Sequence, residues 1–257
     1  MVKEDVLLEV NELSAWGRGR RMILDEVTLR VEDGESVSVV GHAGSGKTAL
    51  LDGMTRMASG TRYSGQVHLR GYEHNLLRCR RGRLRRVRGG QISYLPGDPD
   101  VVLHPSVTVG EQMAAMMRQH RPEVRDWREE SMYWLYQAGI AEPEARLRLP
   151  ARVLDALSRV RLGVAMAFCT FPRLLLADDP TRRLDACAQG EIMLLIEKLR
   201  MKTGIGMVYA TRDLRVGAKM GSRLVLLDDG RVVGEGPVEE VLAGEGLAGW
   251  LEEGRVE

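Results

Sequence analysis

The chain has 257 residues, 44% of them hydrophobic, long enough for one large domain or two small ones with a core of its own. Its 37 basic and 36 acidic residues leave a net charge of +1, so nothing global favours nucleic acid, anionic lipid or acidic substrates. No uncharged apolar run approaches the ~20 residues of a spanning helix, and the opening MVKEDVLLEV, with Lys3, Glu4 and Asp5, lacks the core and cleavage site of a signal peptide. A cytoplasmic chain is expected. Cys79, Cys169 and Cys187 are too widely spaced for a zinc site and are expected to be reduced, unligated thiols.

From Leu7 to Val40, short apolar runs between polar turns predict a partly antiparallel β-layer ending in a buried strand at Ser36–Val40. That strand runs into Gly41-His-Ala-Gly-Ser-Gly-Lys-Thr48, which fits G-x-x-x-x-G-K-[ST] between a strand and a helix-forming stretch. Glycines allow backbone N–H groups to converge on phosphate oxygens, Lys47 reaches the β and γ phosphates, and the Thr48 hydroxyl holds Mg²⁺. The nucleotide-binding set is therefore Gly41, Gly44, Ser45, Gly46, Lys47, Thr48 and Ala49.

Gln66–Arg70 and Ile92–Leu95 read as further strands; Val109–His120 and Arg125–Gln137 have helical spacing. Met113, Met116, Met117, Trp134 and Leu135 in those helices are read as packing residues. A helix from about Leu157 to Cys169, a strand Leu174–Ala177, a helix Cys187–Lys202 and strands Gly206–Ala210 and Leu224–Leu227 follow. The alternation predicts an α/β fold with a mostly parallel central sheet. One domain over 1–257 is expected, with a helical insertion near 100–160. Asp178, closing Leu174-Leu-Leu-Ala-Asp, is the candidate second carboxylate for Mg²⁺, an ion that takes oxygen ligands.

These residues resemble the nucleotide-binding subunits of ABC transporters, more narrowly those of oligopeptide, dipeptide and nickel importers, from Leu7 to about Leu242. The resemblance is carried by LDEVTLRVEDGESVSVVGHAGSGKT, GDPDVVLHPSVTVGEQM, PRLLLADDPTRRLD, GMVYATRDLRV and LVLLDDGRVVGEGPVEEVL. It implies a P-loop ABC ATPase with an N-terminal antiparallel β-layer and a helical subdomain, binding ATP with Mg²⁺. It also implies a head-to-tail partner, a second nucleotide-binding subunit, with each ATP between one phosphate loop and the other's signature loop. Integral-membrane permease subunits and, indirectly, an extracytoplasmic solute-binding protein complete the implied assembly, at the cytoplasmic face of the cell membrane. Trp16 falls where the family places an aromatic that stacks on adenine; packing on the β-layer is the other reading. The importers often continue past the point where this chain stops at Glu257.

The departures cluster in the hydrolytic machinery. Where the family has L-S-G-G-Q, gap-free counting gives Leu154, Asp155, Ala156, Leu157 and Ser158. A carboxylate there would face the γ-phosphate of the partner's ATP, and Leu157 fills space that glycine leaves open. A register aligning Leu157-Ser158 with the family's Leu-Ser needs a three-residue deletion and still lacks both glycines. The catalytic glutamate is replaced by Asp179, one methylene shorter, where a ~1 Å misplacement can cost ~100-fold. The glutamine that senses the γ-phosphate is Gly97, and the switch histidine is Arg212, permanently charged and unable to shuttle a proton. The expectation is a subunit that binds ATP and hydrolyses it poorly, paired with a standard subunit on a permease. The alternative is a non-transport ABC-type ATPase acting as a nucleotide-gated scaffold in a soluble enzyme complex. Arg78, Arg80, Arg81, Arg83, Arg85, Arg86 and Arg88 place seven arginines in eleven positions without interleaved aromatics. They are read as a solvated face before a lipid or partner contact, and not as a nucleic-acid site.

Overall fold

The computed structural model describes residues 5–244, so the readings on Lys3, Glu4 and Glu257 lie outside the described residues. In chain order the strands are β1 (Val6–Trp16), β2 (Met22–Glu32), β3 (Ser36–Val40), β4 (Arg62–Leu69), β5 (Ile92–Pro96), β6 (Leu174–Asp178), β7 (Gly206–Thr211), β8 (Arg223–Asp228) and β9 (Arg231–Pro237). The helices are α1 (Lys47–Thr55), α2 (Arg81–Val87), α3 (Val109–His120), α4 (Trp127–Gln137), α5 (Pro143–Leu147), α6 (Ala156–Phe168), α7 (Ala186–Thr203), α8 (Leu214–Met220) and α9 (Val238–Ala243). The described residues divide into two compact units, one formed by 5–85 with 205–244 and the other by 86–204.

In the first unit, β2, β1 and β4 form an antiparallel sheet in that order. Alternation sets its faces from Val27 on: Val27, Leu29 and Val31 of β2 are buried while Thr28 and Arg30 face out, and an irregularity in register at Glu26, φ 53°, turns Leu24 to the buried side as well. The β3 strand leaves this layer. It lies between β7 and β8 with both neighbours parallel, and β9 pairs antiparallel with β8. Covered on both faces, β3 is buried along its whole length, Ser36 and Ser38 included. Grouping Ser36–Val40 with the β-layer is thus corrected: its alternating serines and valines read like a half-exposed strand, but it pairs with β7 and β8 and is buried on both faces. Val40, Leu214, Leu224 and Leu226 pack together beneath Val238 and Val241 of α9.

In the second unit, β5 and β6 run parallel from the pair Ile92–Leu174 to the pair Pro96–Asp178. The helices start on side-chain caps. Thr108 and Glu111 form a reciprocal capping box on α3, and Asp126 accepts from the Arg128 and Glu129 amides to begin α4 at Trp127, two residues later than Arg125. Asp185 caps α7, and Gly204 closes it at φ 69°. Met113, Met117, Trp134 and Leu135 are buried, as packing residues should be, and Met116 is half-buried. All three cysteines are free; burial pushes the Cys169 thiol up to about 12, which keeps it protonated and unreactive. In α2 the apolar residues Leu84 and Val87 are buried while Arg81, Arg83, Arg85 and Arg86 are exposed. Among the described residues, no helix is long and apolar enough to cross a membrane.

Candidate functional site

The phosphate loop hangs between the carboxyl end of buried β3 and the first turn of α1. Its path requires glycine. Gly44 and Gly46 have φ of 88° and 106°, in the left-handed region. A Cβ on Gly46 would lie 2.8 Å from Leu24 Cδ2 and 2.9 Å from Ile23 O. At Gly41 it would run into Leu227 O, and Ser45 Oγ would be 2.5 Å away. Lys47, only 8% exposed, donates from Nζ to Gly41 O and His42 O, both at 2.7 Å, and to Ser45 Oγ at 3.3 Å. The ammonium is thus held inside the curl of the loop, with the backbone N–H groups at the head of α1 supplying an anion site. Thr48 is exposed and Ala49 half-buried on the same turn.

A cavity of about 330 Å³ adjoins the loop, lined by Ile23, Gly44, Thr48, Asp52, Thr61 and Tyr63 among others. Burial, then the charge of Asp52, pushes the Tyr63 phenol up to about 12, so the phenol stays neutral. Trp16 ends β1 half-buried, with Met22 and Arg62 as strand partners. At the end of β7 Thr211 is buried and Arg212 exposed, while Asp213 caps α8 by accepting from the Arg215 and Val216 amides at 2.7 and 3.2 Å. The loop histidine His42 has its Nε2 2.9 Å from Asp228 Oδ1, a pairing that the motif G-x-x-x-x-G-K-T leaves unspecified.

The second unit holds the other candidates. Asp178 ends β6, and Tyr94 of the paired strand β5 donates its hydroxyl to Asp178 Oδ2 at 3.1 Å. Sequence reasoning missed Tyr94; its only signal is its place two residues before the end of a strand parallel to β6. Asp179 follows at φ 49°, a left-handed conformation that Asp tolerates better than most residues. Gly97 is pressed onto this turn. A Cβ there would lie 2.7 Å from Asp178 O, 2.9 Å from Asp179 O and 3.0 Å from Arg182 Nε. Asp98 pairs with Arg183 at 2.8 Å, which fastens the segment after β5 to the turn after β6, and Gln189 of α7 donates to Thr181 Oγ1 of that turn at 3.1 Å.

At the signature position Leu154 is buried and Asp155 is the N-cap of α6. Its Oδ1 accepts from the Ser158 amide and its Oδ2 from the Ser158 hydroxyl, both at 2.8 Å. These hydrogen bonds, the backbone one first, hold the Asp155 carboxyl below the usual carboxylate range. A helix start that could otherwise receive an external anion has its own carboxylate on a first-turn donor. Ala156 is exposed and Leu157 half-buried on that turn.

Comparison with known proteins agrees with this anatomy. The ABC transporter family model matches residues 24–182. A Brucella melitensis protein named for peptide import as an ATP-binding protein is 33% identical over 232 residues, covering 87% of this chain and 69% of its own length. The peptidoglycan transport ATP-binding protein of Agrobacterium fabrum is 31% identical over 242 residues, covering 91% of this chain; the chain spans 44% of that longer protein. A solved ATP-binding cassette, dimeric in a post-hydrolysis state with ADP and Pi, superposes with a TM-score of 0.78 at 24% identity, covering 90% of this chain and 99% of that one. On the strength of the family match, the Brucella relative and the shared fold, the chain belongs to the ABC transporter ATP-binding family.

Proposed function

We propose that this chain is the ATP-binding subunit of an importer of the peptide/nickel class, and the catalytically degenerate member of a heterodimeric pair that couples ATP binding to a membrane permease. The names of its relatives support peptide import. The observation that carries degeneracy is the Asp155 carboxylate seated on the Ser158 amide at the head of α6. Family members use this loop to donate to the γ-phosphate across the dimer, as the resemblance implies; here the donor is already engaged and the added charge has the sign of the ligand.

ATP binding rests on the intact loop. The nucleotide's phosphates take over Lys47 Nζ from Gly41 O and His42 O, while loop N–H groups receive the remaining oxygens. Trp16 offers a face for adenine. Thr48 and Asp178 supply oxygen donors, the type that Mg²⁺ takes, and the ion when bound neutralises phosphate charge. Asp179 stands in the place of the general base with a shorter reach, and Arg212 can hold phosphate charge but cannot relay a proton. The proposed partners are a second nucleotide-binding subunit, permease subunits and, through them, an extracytoplasmic solute-binding protein. Assembly is at the cytoplasmic face of the membrane. Purification of the tagged chain from its native cells tests this reading. Recovery of a permease and a second ATP-binding subunit is expected; recovery of soluble enzymes instead contradicts it.

A further inference from the structure

His42 occupies a variable position of the phosphate loop, and its ring does something the loop's own chemistry does not require. Nε2 lies 2.9 Å from Asp228 Oδ1 and 3.7 Å from Asp229 Oδ1, with Asp228 at the end of β8 and Asp229 in the turn beyond it. One ligand atom from each of the three residues can be chosen so that all lie within 4.8 Å of one another. Nδ1 is 2.7 Å from Ala43 O. A carbonyl only accepts, so Nδ1 carries a proton toward Ala43 O; Nε2 faces two carboxylates, which also only accept, so a proton or a metal ion lies between them. Three side chains able to ligate a cation therefore converge at one point of the loop. The carbonyl behind the ring is the outer-shell partner that metal-bound imidazoles commonly have.

We propose that His42, Asp228 and Asp229 form a three-ligand site for a divalent transition cation, separate from the Mg²⁺ that accompanies nucleotide. Donor atoms around a tetrahedral ion with bonds of about 2.0–2.1 Å stand roughly 3.3 Å apart, between the two His–Asp separations. A set containing imidazole favours cobalt, nickel or zinc over Mg²⁺. Access is open on one side, since the His42 and Asp229 side chains are 31% and 91% exposed. The turn is fixed to the loop, because Gly230 N donates to Ser45 O at 2.9 Å.

The test is a titration of the nucleotide-free full chain with Co²⁺, followed by calorimetry and by visible absorption of the bound ion. One Co²⁺ per chain is expected, with no comparable heat from Mg²⁺. Asp229→Asn, at an exposed position, and His42→Gln should each weaken Co²⁺ binding about tenfold or more, with thermal unfolding confirming that both variants are folded. Cys187→Ser, which removes an exposed thiol, should leave the affinity unchanged. Absence of Co²⁺ binding, or equal affinity in the wild type and both site variants, overturns the proposal and leaves a proton between Nε2 and Asp228 in the metal's place.

Discussion

At the head of α6, Asp155 accepts from both the amide and the hydroxyl of Ser158, and so contributes to folding as well as altering the site. Asp155→Ala should lower stability by about 1 kcal/mol at pH 7, the usual cost of an N-cap, measured by denaturant titration. The sign of the pH dependence follows from the depressed carboxyl. A folded pKa below the unfolded value, about 3.9, contributes stability above that value and loses it as pH falls through the folded pKa. The gap between wild type and Asp155→Ala should therefore be constant near neutrality and narrow below about pH 4; a gap that widens in acid contradicts the assignment. Gly97 is the opposite case, a residue whose side chain is excluded by backbone. Restoring the family's glutamine by Gly97→Gln would push Cβ against Asp178 O and Asp179 O. The expected result is a loss of roughly 1–3 kcal/mol, as for other overpacked sites, with no gain in ATP turnover. A fully stable, more active Gly97→Gln protein would show that the turn after β6 can retreat.

Across the element, the α6 start can be rebuilt. Asp155→Ser, Ala156→Gly and Leu157→Gly together remove the carboxylate and return open backbone donors. They also place two glycines in the first helical turn, at up to about 1 kcal/mol each. ATPase activity of the reconstituted pair should rise through the partner's catalytic glutamate. Unchanged activity, with folding and assembly verified, would mean that this loop does not meet the partner's nucleotide. Much of the element order was legible in advance: Ser36–Val40, Val109–His120 and Leu174–Ala177 coincide with β3, α3 and the apolar part of β6. Strong apolar periodicity, or a capping box such as Thr108–Glu111, marks those segments locally. Short α5 and α8 leave no signal in the sequence, because five and seven residues give too few turns for a period to register. The phosphate loop was legible because its path depends on glycines at fixed offsets. The Asp228–His42 pair, the Tyr94–Asp178 hydrogen bond and the close fit at Gly97 were not, since each joins residues brought together only by strand order or by a turn.

At the scale of the whole molecule, the account separates binding from chemistry. Lys47 and its glycine cradle lie in one compact unit; Asp155, Gly97 and Asp179, three of the four altered positions, belong to the other, as does the intact Asp178. A chain of this kind should bind nucleotide alone yet turn it over slowly, because a symmetric pair would set Asp155 toward each γ-phosphate with only Asp179 and Arg212 available for hydrolysis. The most direct measurement is ATP binding and steady-state hydrolysis by the same purified chain, with Lys47→Ala and Asp179→Asn alongside. The account predicts Mg²⁺-assisted binding that Lys47→Ala abolishes, and turnover far below ~1 s⁻¹, the low end of ordinary enzyme rates. Turnover of ~1 s⁻¹ or more that disappears in Asp179→Asn would contradict it.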